Sequence, residues 1–244
     1  MTGEGWTQAV RRQLGLGRVL PLGGAADGVW MTESAADGAL RQMAERVPGV
    51  RLGAVRIALA APDRAGTPAV PPPPSALGPG PLRITGEFAA VAGEPLPAAA
   101  DRLRAALYEA AAGLGLVTTE VDLKATALLD EADGTDEAPA RPADGPPHPS
   151  PEPPPAEGAD TDEARAERAA LSVPGVTRLT GVLGRAVHFE EPPATGTLPR
   201  RHARVELATD REHRALDVAL AVREAVGAAL PDGPSVAVLV TEVR

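Results

Sequence analysis

Apolar and polar positions change period several times along this chain, and each change predicts an element. In residues 34–46, SAADGALRQMAER, Ala36, Leu40, Met43 and the following Val47 fall on one stripe of 3.6-residue period, with Thr32 or Ser34 available as a cap and Gly38 weakening the helix. The tetrapeptide VPGV at 47–50 then closes it, because neither Pro nor Gly continues a helix. Next the period falls to two: Val55, Ile57 and Leu59 alternate with Arg56 and Ala58, and Leu82, Ile84 and Phe88 with Arg83, Thr85 and Glu87. These are two half-buried strands, joined by the long Pro-rich excursion PDRAGTPAVPPPPSALGPGP. Residues 97–112 return to helical spacing, with Ala99, Leu103, Ala106, Leu107 and Ala110 inward and Gly113 as the stop. Residues 117–125 close the series as a strand with one wet face, Val117, Thr119, Val121 and Leu123 against Thr118, Glu120, Asp122 and Lys124.

The same order returns after a second VPGV at 173–176. A helix over 162–172 carries Ala166, Ala169 and Ala170; Val187 and Phe189, then Ala203, Val205 and Leu207, face inward on two strands. A helix over 211–230 runs through Leu216, Ala219, Val222, Val226 and Ala229, and the last strand, 236–243, contains VAVLV, which predicts cover on both faces. VPGV and TEV lie 72 residues apart in the first half and 68 in the second. The fold class that follows is α+β: two copies of a helix-strand-strand-helix-strand two-layer unit, each a small mixed sheet backed by helices with a right-handed crossover. An extra pair of strands, RVLPL and GVWMT around the turn GGAADG, is assigned to the first copy.

Residues 130–163 separate the copies. They hold nine prolines and eleven acids against Arg141 alone, so this segment carries −10 of the net −9 and leaves about +1 for the rest. With almost no large apolar side chain it predicts a disordered acidic tether. The expected organisation is therefore a first domain with an N-terminal extension over 1–129, a linker over 130–163, and a second, degenerate domain over 164–244.

Composition narrows the chemistry. Aromatics are 2% of the chain, so the core must be Ala, Val and Leu; Lys124 is the one lysine, a usage that fits a GC-rich genome. The lack of cysteine excludes disulfides, thiolate metal sites and cysteine nucleophiles. Neither a signal-peptide core nor a membrane-length apolar run is legible, which predicts a soluble, cytoplasmic chain.

At GVWMTESAADGALRQMAERVPGV, residues 28–50, the chain resembles the start of the alkaline shock protein family of Gram-positive bacteria, where a short strand, a helix of this length and a Val-Gly-Val stop run together. LRITGEFAAV, the amphipathic helix and VTTEVDL are similar in order and spacing to the rest of that family. The resemblance covers about 28–127 and, in degenerate form, 164–244, and the GC-rich usage fits an actinobacterial member. It implies a cytoplasmic, non-enzymatic protein without cofactor. Such a protein associates with itself, with a related shock protein or with a small membrane anchor, and supports cell-envelope homeostasis under stress. The second copy, the acidic tether and the Pro-rich insertion depart from the family pattern.

No residue is assigned a catalytic, cofactor-binding or metal-binding role. His188, His202 and Glu190 could bring two imidazoles and a carboxylate together for zinc, but a pair of surface histidines on a sheet is the preferred reading, and His213 and His148 read as solvated. The glycines of LGLGRVLPLGG lack the strand, GxGxxG and helix order of a dinucleotide site and read as a turn. Glu190 with Glu191, and Glu120 with Asp122, read as solvation; Ser34, Ser75, Ser150, Ser172 and Ser235 sit in no G-x-S-x-G elbow. Arg200, Arg201, Arg204, Arg211 and Arg214 form the one basic concentration. They carry the alternative function, a regulatory or nucleic-acid-binding module, although screening by the tether is preferred and the G-x-x-G clamp of K-homology modules is missing. Trp6, Val10 and Leu14 read as a short amphipathic stretch docked on the first domain.

Overall fold

The computed structural model describes residues 17–130, 161–190 and 201–244. Most of the predicted tether lies outside the described residues, as do residues 191–200, with Glu191 and Arg200, and Trp6, Val10, Leu14, His148 and Ser150. The described chain is a mixed α+β fold of four helices and two sheets. In order these are β1 (Val19–Leu22), β2 (Val29–Thr32), α1 (Glu33–Ala44), β3 (Val50–Leu59), β4 (Leu82–Val91), α2 (Leu96–Leu114), β5 (Thr118–Leu129), α3 (Asp162–Leu171), β6 (Val176–Leu179), β7 (Val187–Glu190), β8 (His202–Thr209), α4 (Ala215–Ala229) and β9 (Ser235–Val243).

The three-stranded sheet runs β3-β4-β5, with β3 antiparallel and β5 parallel to β4. In the larger sheet β6 is antiparallel and β9 parallel to β8, and β7 also pairs with β8. Each VPGV ends a helix: Val47 N–H donates to Ala44 O, and Val173 N–H to Ala170 O. Each then places a glycine at positive φ, +72° for Gly49 and +90° for Gly175. The carbonyl of that glycine accepts from the residue that ends or follows the paired strand, Val91 N at 2.9 Å for Gly49 and Asp210 N at 2.9 Å for Gly175.

The TEV tripeptides do not correspond. Thr119-Glu120-Val121 opens β5 opposite Arg83, whereas Thr241-Glu242-Val243 ends β9 opposite Ala208. Thr241 shares its setting instead with Thr126, each at a register shift of its strand. Thr126 falls at the register shift between Phe88 and Ala89 and donates its hydroxyl to Phe88 O at 3.3 Å; Thr241 falls at the shift between Leu207 and Ala208 and donates to Leu207 O at 3.2 Å. The tripeptide gave a false landmark, while the bulge, which fixes an extra residue in the ladder, is a feature the two strands share.

The N-terminal hairpin sits elsewhere than expected. β2 pairs parallel with β9, so β1 and β2 extend the sheet of the C-terminal strands instead of the β3-β4-β5 sheet. Thr32 secures the join: its Oγ1 caps α1 by accepting from Ala35 N at 3.3 Å and donates to Thr241 O at 3.3 Å. One continuous hydrophobic core follows, uniting Ile84, Phe88, Leu103 and Leu107 with Met31, Leu40, Val205, Val222 and Val240. At about 1.5–3 kcal/mol per fully buried large side chain, this common core couples the two halves strongly.

α2 ends two residues beyond the expected stop. Gly113 lies inside the helix with open space around it, and Gly115 at φ +97° takes the left-handed cap, where an added Cβ would stand 2.4 Å from Leu216 Cβ. The close approach to Leu216 is what requires glycine there. The Pro-rich excursion is no free loop. Leu77 N donates to Val19 O at 2.8 Å and Ala69 N to Ala25 O at 2.9 Å, and Val70 and Ala76 pack on Trp30, Val19, Ala237 and Leu239. The insertion of one sheet therefore straps the outer face of the other. That strap accounts for the cover on both faces that VAVLV predicts, and Val236 to Val240 are indeed buried throughout.

Candidate functional site

Two features of the described residues are candidates, a polar row on the outer face of the six-stranded sheet and the free edge of the three-stranded sheet. In the first, alternation along β8 sends Ala203, Val205 and Leu207 into the core and His202, Arg204 and Glu206 to the outer face. Beside them on β7, His188 lies across from Arg204 and Glu190 across from His202. The two histidines are thus diagonal, and His202, expected at the surface, is buried. Its Nδ1 hydrogen-bonds with Ser235 Oγ at 2.8 Å, and burial pushes its pKa below the ordinary value for histidine.

The rest of the row is consumed by the fold. Glu206 is fully buried; its Oε2 accepts from Leu183 N at 3.0 Å, and its Oε1 lies 3.4 Å from Arg204 Nε. Burial raises the Glu206 carboxyl above the usual carboxylate range, opposed by the Leu183 N–H and by Arg204. Arg204 is also 3.6 Å from Glu190, which in turn is 3.5 Å from His188 Nε2. Among the described residues no group of three or more His, Cys, Asp or Glu is placed to hold a metal ion.

The arginines expected to form a basic face are dispersed. Arg201 pairs with Asp162 and stacks 3.9 Å from the Phe189 ring centroid; Arg204 is buried; Arg214 donates to Ala112 O at 3.2 Å and faces Asp217 at 3.4 Å. Arg211 alone of the described members is exposed with no interaction described for it. His213 is exposed as expected, but its Nδ1 is 3.0 Å from Asp210 Oδ1, which also accepts from the His213 N–H and so shapes the turn into α4. Of the glycines of LGLGRVLPLGG that are described, Gly17 precedes β1 outside any turn, while Gly23 and Gly24 lead into the turn at 24–27, where Gly24 N donates to Asp27 Oδ2. Of the five serines, Ser235 hydrogen-bonds His202, across from which Glu190 lies on β7, and Ser34 donates to Thr32 Oγ1.

The second feature is β5, the long edge of the three-stranded sheet. Its outward face is charged: Arg83 pairs with Glu120 and lies 3.7 Å from Asp122, and Lys124 is opposite Glu87. Two of its carbonyls are taken by α2, Thr119 O by Tyr108 Oη at 3.1 Å and Val121 O by Arg104 Nε at 3.2 Å. Beyond Leu123 every residue from Lys124 to Leu128 is exposed, Leu128 to 64%, and Val117 just before the strand is 48% exposed. Sequence reasoning read this strand as half-buried and missed the overhang; the apolar run ATALL after Lys124 was its signal.

Shallow, open depressions complete the survey, one lined by Pro48, Gly49, Val91, Gly93, Glu94 and Arg102, where the Arg102 hydrogen bond holds the Glu94 carboxyl below its usual pKa. The chain matches no family model, no curated protein and no solved structure. No described helix is long and apolar enough to cross a membrane.

Proposed function

We propose that this is a non-enzymatic interaction protein that works by associating with itself or with a protein partner, in the manner implied by its resemblance to the alkaline shock proteins of the envelope stress response. In this reading the chain carries two copies of one helix-strand-strand-helix-strand unit. The equivalent Gly49 and Gly175 carbonyls, and the equivalent bulges at Thr126 and Thr241, support the duplication. The hairpin and the Pro-rich strap are then later additions that weld the copies.

The observation that carries the functional reading is the contrast between the two candidate features. His202 bonds Ser235, Glu206 accepts from Leu183, and Arg204 lies between Glu190 and Glu206, so the row is held largely by its own neighbours. β5 instead presents twelve residues of sheet edge, largely exposed. An unpaired edge is a template for another strand. The related proposal of a membrane-anchored partner rests on the resemblance alone.

The test is sedimentation of the full chain between about 10 µM and about 1 mM, the range in which a modest edge interface associates, together with affinity purification from the native host. Self-association or retention of a related shock protein is expected. A chain that is monomeric throughout and retains no protein overturns the reading.

A further inference from the structure

Resting on that reading and deepening it, we infer that the partner on β5 is a second copy of this chain, joined antiparallel about a two-fold axis at Leu123. β5 has register shifts against β4 at its two ends, near Thr119 and Thr126, and a regular run between them. Leu123 is close to the middle of that run. A strand that pairs antiparallel with itself about residue 123 sets residue i opposite residue 246 − i, so the consequences follow from the sequence.

Asp122 comes opposite Lys124 of the second copy, and the two-fold repeats the contact. Lys124 is the one lysine of the chain and stands on the same outward face as Asp122. In the same register Val121 meets Ala125 and Glu120 meets Thr126, so no like charges oppose each other. At the ends Val117 comes opposite Leu129, and Leu128 opposite Thr118 on the other face of the sheet. Moving the axis to Ala125 would instead oppose Asp122 to Leu128 and leave Lys124 opposite Thr126. A six-stranded sheet spanning two copies results, closed by symmetry and without a further edge at β5.

The join has a cost that limits its strength. Thr119 O and Val121 O already accept from Tyr108 and Arg104, and these contacts must be exchanged for strand partners. A concentration-dependent dimer is expected, not a permanent one.

The experiment is a charge swap read by sedimentation. Lys124→Glu sets Glu opposite Asp122 twice and is expected to weaken dimerisation by at least about 10-fold; Asp122→Lys does the same through two Lys-Lys contacts, and the double variant restores it to within about 3-fold. Because the chain has no cysteine, Leu123→Cys supplies an independent readout: residues opposite each other across an antiparallel pair are about 4.5–5.5 Å apart at Cα, within disulfide reach, so oxidation should give a covalent dimer. Asp63→Cys, on the strap, should not. A dimer indifferent to the swap and uncrosslinked at 123 overturns this register while leaving self-association standing. A monomer that still retains a protein partner overturns the second copy as occupant, and a monomer that retains nothing overturns the functional reading as well.

Discussion

Replacing the glycine of each VPGV by alanine should cost unequal amounts, and the difference can be worked out from the two sites. Both glycines have positive φ, where an L-residue loses about 1–2 kcal/mol. At Gly49 the new methyl would find Val91 Cγ2 at 3.6 Å, an ordinary contact, so the loss is conformational only; reduced freedom in the unfolded chain returns about 0.4–1 kcal/mol of it. A net destabilisation of about 1 kcal/mol follows. At Gly175 the methyl would stand 2.6 Å from Val218 Cγ2 and 3.1 Å from His213 Cβ, so α4 must shift, which adds the roughly 1–3 kcal/mol typical of overpacking. The expected loss for Gly175→Ala is about 2–4 kcal/mol. Urea unfolding followed by the fluorescence of the buried Trp30, in a Trp6→Phe background, measures both. Equal losses, or a larger one at Gly49, would refute the claim that contact with α4 and not the motif itself decides the cost.

Three other substitutions probe the joins between the halves. Thr32→Val removes the α1 cap and the bond to Thr241 O together, and should cost about 1–3 kcal/mol in urea unfolding; a loss near zero would mean that Thr32 does not tie the hairpin to β9. Val70→Asp places a carboxylate against Trp30 and should lift the strap, seen as a red shift of Trp30 emission with a loss of at least about 2 kcal/mol; unchanged emission would contradict the packing described. His202 titrates below its ordinary value, so the unfolded chain takes up that proton first, and its contribution to stability is present above about pH 6.5 and lost as pH falls. Glu206 acts oppositely: its raised pKa makes its contribution full below about pH 4.5 and lost as pH rises through the folded value, and it is shared by wild type and variant. His202→Gln should therefore lose less stability than wild type between about pH 7.5 and pH 5.5, and an equal loss would place the acid sensitivity elsewhere.

Periodicity made most of the elements legible. The stripe Ala36-Leu40 and the alternation Ile84-Phe88 sit where the pattern puts them because burial of one face is a local property of spacing. Elements governed by partners distant in sequence were not legible. Nothing in VWMT says that its neighbour is β9, some two hundred residues on, and nothing in APDRAGTPAVPPPPSALG says that Val70 will cover Trp30. His202 was misread for the same reason: alternation places it on the outer face correctly, but burial there depends on what else covers that face. The choice between Gly113 and Gly115 turned on Leu216, a residue of another helix. The candidate edge was legible in part, since Asp122 and Lys124 alternate with apolar neighbours, yet which strand of the sheet is outermost follows only from the order β3-β4-β5.

The same exchange of parts bears on the open edge at β5 among the described residues. β1, at one margin of the larger sheet, is covered by the strap through Val19 and Leu77. β3, at the other margin of the smaller sheet, is met by Glu33, which accepts from Ile57 N at 3.0 Å, and by Arg18. Both covers derive from segments around the N-terminal hairpin and the insertion, and both lie on the side where the two sheets share a core. β5 is the margin of the smaller sheet opposite β3, so the hairpin and strap do not reach it, and α2 supplies only Tyr108 and Arg104 near its start. The β5 margin, twelve residues long with Leu128 exposed near its end, is therefore the one on which the proposed pairing draws.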